Sequence, residues 1–332
     1  MDTIDWLLDS DPAIRWQVMR DLTDASPAVI AAERRRIPHK GLGAEILVRQ
    51  ESNGSWRRAD APLWLTTLFT LLLLRATGID PTEPAVKSAM ACLDTGLRWN
   101  DQGGRWELRP PATGGNTFFE GEIEPCINGG ALAIGAYFGR PMESLVCRLV
   151  SEQLDDGGWN CEAPKSARSS FHTTICVLEG LLEYERAIGG APRVAAVRRR
   201  GEEYLLERSL FRRRSTGEVA NTEFLQLAFP PRYRYDVLRA LDYFRNAAFH
   251  DNIRPDSRIG EAVHFLQTKR QPDGGWLLDR SYDEVLVTPF GESVGEPSRW
   301  NTLRALRVLR WCGKEWHRTG TRLPSMTSKQ VD

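Results

Sequence analysis

With 332 residues the chain holds one large domain or two, and its 44 basic residues balance 44 acidic ones, which removes any general attraction to nucleic acid or to an acidic membrane surface. The longest apolar run, 68–74, is too short to span a bilayer, and the opening MDTIDWLLDSD is acidic where a secretory leader is basic, so a cytoplasmic protein without a transmembrane segment is expected. Six cysteines in such a chain read as thiols or ligands rather than a disulfide framework.

Asp11 as cap and Pro12 in the first turn open a helix that runs to Leu22. Two more helical pieces, 26–36 and 43–50, lead into QESNGSW. Residues 61–75, apolar on every side, predict a helix buried on every side, and 83–99 a more polar helix ending in NDQGGRW. Dense proline and glycine over 107–119 predict a loop above one mouth of the structure. A small-residue-rich apolar helix starts near Cys126, and 141–153 is its amphipathic partner.

QLDDGGW follows, with Asp155 and Asp156 as turn elements; then comes a helix capped by Ser169 or Ser170. Phe171, Ile175, Leu178 and Leu182 give this helix its apolar stripe. His172, Cys176 and Glu179, at i, i+4 and i+7, place polar chemistry on one face of it. A charged helix over 194–207, a loop over 210–229 and a helix pair over 231–245 and 256–269 come next. RQPDGGW precedes the last helix, 297–311, and 313–332 reads as a polar, frayed tail.

The turns share Q-x-x-x-G-x-W: a polar side chain ending one helix, a glycine for the tight turn, and an indole over the junction. Gln50, Gly54 and Trp56 fit it, as do Gln153, Gly157 and Trp159; Asn100 and Arg270 take the glutamine place in the other two. The buried helices also align near their starts, with Trp16, Trp64, Pro125, Phe171, Tyr235 and Trp300 at one register. A repeated two-helix unit of this kind predicts an all-α closed ring over 1–312, an α/α toroid of about six helix pairs with inner helices inside an outer ring.

The turns resemble the QW repeats of squalene and oxidosqualene cyclases, so the resemblance implies a terpenoid cyclase-like and protein prenyltransferase-like fold. The D-x-D-D motif of those cyclases is absent. SSFHTTICVLEGL and EIEPCINGGA resemble the β-subunit helices of protein prenyltransferases that carry the zinc histidine and an acidic-x-Cys pair. That match implies Glu124, Cys126 and His172 as ligands. Repeat position sets Cys126 and His172 side by side on consecutive inner helices, with Cys161 on the connection at the same end; thiolates and an imidazole suit zinc, the fourth place falling to Glu124, Asp236 or water.

The expected function is therefore an isoprenoid-related enzyme, with chemistry at the Cys126/His172 mouth and an isoprenoid or isoprenoid diphosphate as substrate. Trp64, Phe171, Tyr233, Tyr235, Trp300 and Asn301 line the expected cavity, and aromatic faces stabilise a carbocation. Arg232, Arg234 and Arg299, near inner-helix starts, would take a diphosphate. Asp236 and Glu124 are the candidate acid and base. Prenyl transfer to a thiol, diphosphate-dependent cyclisation and hydrolysis all fit. Two alternatives are a carbohydrate-active (α/α)6 barrel using Glu120, Glu122, Glu124 and Asp236, and a non-catalytic scaffold toroid. Cys92, Cys147 and Cys312 read as core, the remaining histidines have no partner pattern, and a monomer or weak homodimer is expected.

Overall fold

The computed structural model describes residues 2–108 and 114–313 and is built from helices. The tail expectation for 314–332 and part of the loop expected over 107–119 lie outside the described residues. The helices are α1 (Thr3–Leu8), α2 (Pro12–Leu22), α3 (Pro27–Arg34), α4 (Leu42–Leu47), α5 (Leu63–Thr77), α6 (Pro84–Gly96), α7 (Pro125–Tyr137), α8 (Glu143–Ser151), α9 (Phe171–Ile188), α10 (Pro192–Leu206), α11 (Val237–Asp251), α12 (Gly260–Thr268) and α13 (Arg299–Trp311). Two short hairpin pairings, β1 (Leu97–Asn100) with β2 (Arg105–Leu108) and β3 (Trp276–Leu277) with β4 (Pro297–Ser298), complete the elements. Among the described residues no helix is long and apolar enough to cross a membrane.

Caps fix several boundaries. Asp11 accepts from Ala13 N–H at 2.7 Å, as its sequence position predicts, and Asp236 accepts from Arg239 N–H at 2.8 Å. The second cap shortens an expected helix: α11 begins only at Val237, because the diproline and Arg232, at φ +50°, hold the preceding residues out of the helix. The helix expected to reach residue 99 stops at Gly96, and the next four residues enter β1.

Three of the four expected turns have one construction. Gln50 Nε2 donates to Gly54 O at 2.8 Å and to Ala85 O of α6 at 2.7 Å; Gln153 Nε2 donates to Gly157 O at 2.7 Å and Val197 O of α10 at 2.8 Å. The indoles of Trp56, Trp159 and Trp276 donate back to Ile46, Leu149 and Leu266, at 2.9, 2.7 and 2.8 Å. The backbone N–H groups of these tryptophans reach the hydroxyls of Thr67, Thr174 and Thr302 on α5, α9 and α13. The two glutamine turns thus tie an amphipathic helix both to the next amphipathic helix and to a buried one; in the third, among the described residues, Arg270 bonds only Gly274 O of its own turn, at 3.1 Å, and the tie to the buried helix remains. Glycine is required where the chain passes: at Gly157, φ +96°, an added Cβ would lie 2.6 Å from Arg200 O. Replacing Gln153 with alanine removes three hydrogen bonds, one of them accepted from Arg200 at 3.2 Å, and a loss of about 1–2 kcal/mol in urea unfolding is expected, with a similar loss for Gln50→Ala.

The fourth turn is different. Asn100, shorter by one methylene than glutamine, accepts from the N–H groups of Gln102 and Gly103 in its own turn at 3.1 and 3.0 Å and leaves the chain to close as the β1–β2 hairpin. The threonine bonds also correct the repeat register. Thr67, Thr174 and Thr302 are equivalent, so Trp300 corresponds to Leu65 and His172, not to Trp64 and Phe171. One residue turns a side chain by about 100° around a helix.

The buried helices contact in the order α5, α7, α9, α11, α13, α2. The gap between α2 and α5 is bridged by Trp16 Nε1 to Thr77 O at 2.7 Å and Gln17 Nε2 to Ala76 O at 3.1 Å.

Candidate functional site

These six helices surround a cavity of about 810 Å³, within the ordinary range of small-molecule sites, about 300–1,000 Å³. At the N-terminal end of the helices its walls are Phe69, Ile127, Phe229, Tyr233, Leu286 and Trp300. Phe229 stacks on Trp300 with centroids 4.4 Å apart, and Tyr233 lies 6.3 Å from Phe69. Pro230, buried, also lines this end. At the C-terminal end Arg20, Pro27, Ala31 and Arg186 line the cavity and are exposed, which makes that end the mouth. Leu68, Leu72, Leu73, Leu182 and Leu303 form the apolar flank between the ends.

Charge enters this cavity from the helices themselves. Eight arginines and three carboxylates line it. Glu179 on α9 receives both Nε and Nη2 of Arg239 at 2.8 Å. Burial alone would raise its carboxyl, but the Arg239 charge and hydrogen bonds, with Arg75 and Arg304, hold it below the ordinary value. Asp242 is clamped in the same way by Arg307, whose Nε donates at 2.7 Å. Burial opposes, and Arg307, Arg304 and Arg245 outweigh it, so Asp242 is also lowered. Glu183 binds Arg75 at 2.6 Å.

A carboxylate depressed in the folded state contributes stability above its unfolded value, near 3.8, and loses it as pH falls through the lower folded value. Asp242→Asn is therefore expected to cost about 3–5 kcal/mol at pH 7, where it strands the Arg307 guanidinium. Its stability should also fall less than the parent's between about pH 5 and 2. Urea unfolding at pH 7, 4 and 3 measures both.

The residues expected to form the site divide between the cavity and its surroundings. Cys126, Arg232, Tyr233 and Trp300 line it, together with Cys176 and Glu179 of the polar stripe. Trp64, Phe171, Tyr235, Asn301 and Arg299 do not. Phe171 packs against Phe224 and Tyr235 at 5.0 and 5.1 Å, in a core cluster beside the cavity. Tyr235 donates to Leu210 O, and Asn301 donates to Leu227 O and Leu277 O at 3.1 and 3.0 Å. Arg299 binds Asp9 O and covers Trp6; Arg232 pairs with Glu284. Asp236 is buried beside Arg239 as the α11 cap and is absent from the lining; burial raises its carboxyl, and its Oδ2 has no partner. Glu124 is exposed at the start of α7. Behind it Glu122 is buried, and burial, aided by Glu124 and Cys161, pushes its carboxyl up to about 8.

Of the expected zinc ligands, Cys126 and Cys161 are neighbours. The neighbouring Cys126 thiol lowers Cys161 to about 7 against burial, with help from the Thr173 hydroxyl 3.4 Å away. Cys126 is correspondingly raised by Cys161 and by burial. His172 is engaged elsewhere: its Nδ1 accepts from Tyr235 N–H at 2.8 Å. Burial, with Arg234 and Arg239, pushes the imidazole down to about 4, so it is neutral at pH 7. The group whose ligand atoms all lie within 4.8 Å, among the described residues, is instead Glu185, His250 and Asp251. Arg198 sits among these carboxylates at 2.6 and 2.7 Å, so the group is an ion-pair network. His250 therefore has a partner, Glu185 at 3.6 Å, that its sequence context did not reveal. Cys147, expected in the core, is exposed.

No protein-family profile matches the chain, and no curated protein does. Among solved structures it is similar to a protein from Actinoplanes, with 15% identity over 91% of this chain and 89% of that one and a TM-score of 0.45. It is also similar to the type II terpene cyclase MstE from Scytonema, with 16% identity over 90% and 85% of the two chains and a TM-score of 0.47. A variant of that cyclase in complex with geranylgeranyl dihydroxybenzoate gives 18% identity over 91% and 86%, with a TM-score of 0.45. Likeness at this level decides neither fold family nor activity.

Proposed function

We propose that the chain is an α/α toroid of the terpenoid cyclase-like and prenyltransferase-like kind, and that its central cavity encloses a single isoprenoid chain as an isoprenoid-related enzyme. The contact order of the six buried helices, with Trp16 and Gln17 joining α2 to α5, supports the ring. The observation that carries the ligand class is the long apolar wall ending in stacked aromatics, Phe229 on Trp300, inside an enclosed volume of about 810 Å³. Burying such a chain gains roughly 25 cal/mol for each Å² of apolar surface removed from water.

The carboxylates limit the chemistry. A cyclase that starts its reaction by protonating an alkene needs a protonated acid facing the ligand, whereas Glu179 and Asp242 are arginine-clamped and held as anions. The supported chemistry is reaction of a chain that carries its own leaving or activating group, with the aromatic end stabilising positive charge. The same clamping, and the placement of Glu124 and Asp236 away from the lining, disfavours the carbohydrate reading. Equilibrium binding of geranylgeraniol and of a linear hexasaccharide separates the two: the account requires the prenyl alcohol to bind and the sugar not to.

For zinc, the donors as placed offer the Cys126–Cys161 pair, while His172 Nδ1 is already an acceptor for Tyr235 N–H. As placed, Cys126, Cys161 and His172 do not bring three ligand atoms together. If His172 turns to join the sulfurs, natively purified protein will hold about one zinc per chain and lose it in Cys126→Ser. Metal-free protein by elemental analysis leaves the pair as thiols.

A further inference from the structure

We propose that the mouth of the cavity, where the C-terminal turns of α2, α5 and α9 meet α3, binds the anionic head of an amphiphilic ligand through Arg20, Arg34, Arg75 and Arg186. This deepens the reading above by fixing which end of the ligand lies where. The head, a phosphate, diphosphate or carboxylate, stays at the solvent end, and the chain points towards Phe69, Phe229 and Trp300. The sequence pointed to the opposite end, near Arg232, Arg234 and Arg299; of these only Arg232 lines the cavity, where it pairs with Glu284, and Arg299 donates to Asp9 O outside it.

Four elements each send one guanidinium to this mouth. The carboxylates facing them are Asp21 and Glu183. Glu183 is held by Arg75 at 2.6 Å, and Asp21 is shared by Arg20 at 2.7 Å, Arg245 at 3.3 Å and Arg307 at 3.7 Å. A third carboxylate, Asp80, feels the Arg34 charge, so four cations against three anions leave a formal excess of one positive charge (4 − 3). Among the described residues Arg34 and Arg186 make no close ion pair, although Asp80 lies within electrostatic reach of Arg34 and Glu183 of Arg186. Arg34 donates to Gly78 O at 2.6 Å and Tyr137 Oη at 3.0 Å, and Arg186 donates to Asn246 O at 2.8 Å.

A guanidinium has five N–H donors in a planar fork, so both retain donors for a ligand. Burial lowers Arg186; Glu183 offsets this in part, and the neighbouring Arg75 and Arg20 charges add to it. Packing accounts for Arg34, whose two bonds fasten α3 to α5 and α7. It does not account for Arg186, exposed at the rim of an apolar cavity with a single carbonyl bond.

The test is calorimetric titration of the full chain with geranylgeraniol, geranylgeranyl diphosphate, geranylgeranoic acid and inorganic diphosphate, using the parent, Arg186→Gln and Arg34→Gln/Arg186→Gln. The single variant covers the case in which the double variant fails to fold. The parent should bind the diphosphate ester at least tenfold more tightly than the alcohol, with a preference that shrinks at high salt. The variants should lose most of that preference and keep the affinity for the alcohol. The acid, compared with the ester, tells a carboxylate head from a phosphate one. Equal affinity of the parent for alcohol and charged ligands, or an undiminished preference in the variants, overturns the proposal. If the alcohol does not bind, the isoprenoid reading fails separately. Inorganic diphosphate then decides the anion site: binding to the parent but not the variants supports it, and no binding to the parent overturns it.

Discussion

Replacing Arg198 with methionine is expected to cost about 3–5 kcal/mol of folding stability. Arg198 on α10 is fully buried and binds Glu185 of α9 at 2.6 Å, Glu202 at 2.5 Å and Asp251 of α11 at 2.7 Å. Tyr243 completes the network by donating to Glu202 at 2.7 Å. Methionine keeps much of the volume but leaves the Glu185, Glu202 and Asp251 carboxylates facing one another with only Arg199, 4.0 Å from Asp251, and His250, 3.6 Å from Glu185, beside them. That residual repulsion is what makes removal of one partner costly, whatever the intact network contributes. Protonation relieves it, and burial already biases Glu202 upward, so the gap between variant and parent should narrow as pH falls from 7 to 5. Urea unfolding at both pH values measures this. A cost below about 1 kcal/mol at pH 7 would mean that the carboxylates relax into solvent and that the network does not fix α10 to the inner helices.

The second large effect concerns the cavity. Leu72, in the middle of α5, is half-buried and projects into the cavity close to Gly130, whose added Cβ would lie 3.3 Å from the leucine methyl. Leu72→Trp has open space on the cavity side and should fill the passage between mouth and aromatic end. Prenyl-chain affinity is expected to fall at least tenfold, about 1.4 kcal/mol, while the urea midpoint changes little. Unchanged affinity in a folded Leu72→Trp protein would place the ligand elsewhere.

The helices and turns were legible in the sequence because they rest on local chemistry. Gln50 and Gln153 recur at one spacing from a glycine and a tryptophan, and each repeats the same pair of hydrogen bonds. The polar stripe on α9 was partly legible: Cys176 and Glu179 do line the cavity. Asn100 misled because a missing methylene changes which backbone groups a side chain can reach. The aromatic register misled for a related reason. Matching tryptophan with phenylalanine at helix starts aligned side chains by type, whereas the Thr67, Thr174 and Thr302 bonds align them by position.

The arginines of the cavity were the main omission. Arg239, Arg304 and Arg307 lie on apolar helices, and their signal was available: charges three or four residues apart within otherwise buried segments. Such charges are tolerated inside only when paired, and their partners, Glu179 and Asp242, come from the adjacent helix in the contact order. Sequence spacing does not reveal that pairing. Arg20, Arg34, Arg75 and Arg186 read individually as ordinary helix-end charges; only the folded arrangement brings them to one mouth.

The measurement that bears most directly on the enclosed isoprenoid chain is the heat-capacity change on binding geranylgeraniol, from calorimetric titrations at several temperatures. The account predicts saturable binding of one molecule per chain with a clearly negative heat-capacity change, because the apolar tail leaves water for the Leu68–Leu303 wall and the Phe229–Trp300 end. Leu72→Trp should abolish most of that signal. Absence of saturable binding, or binding with a heat-capacity change near zero that Leu72→Trp leaves intact, would contradict it.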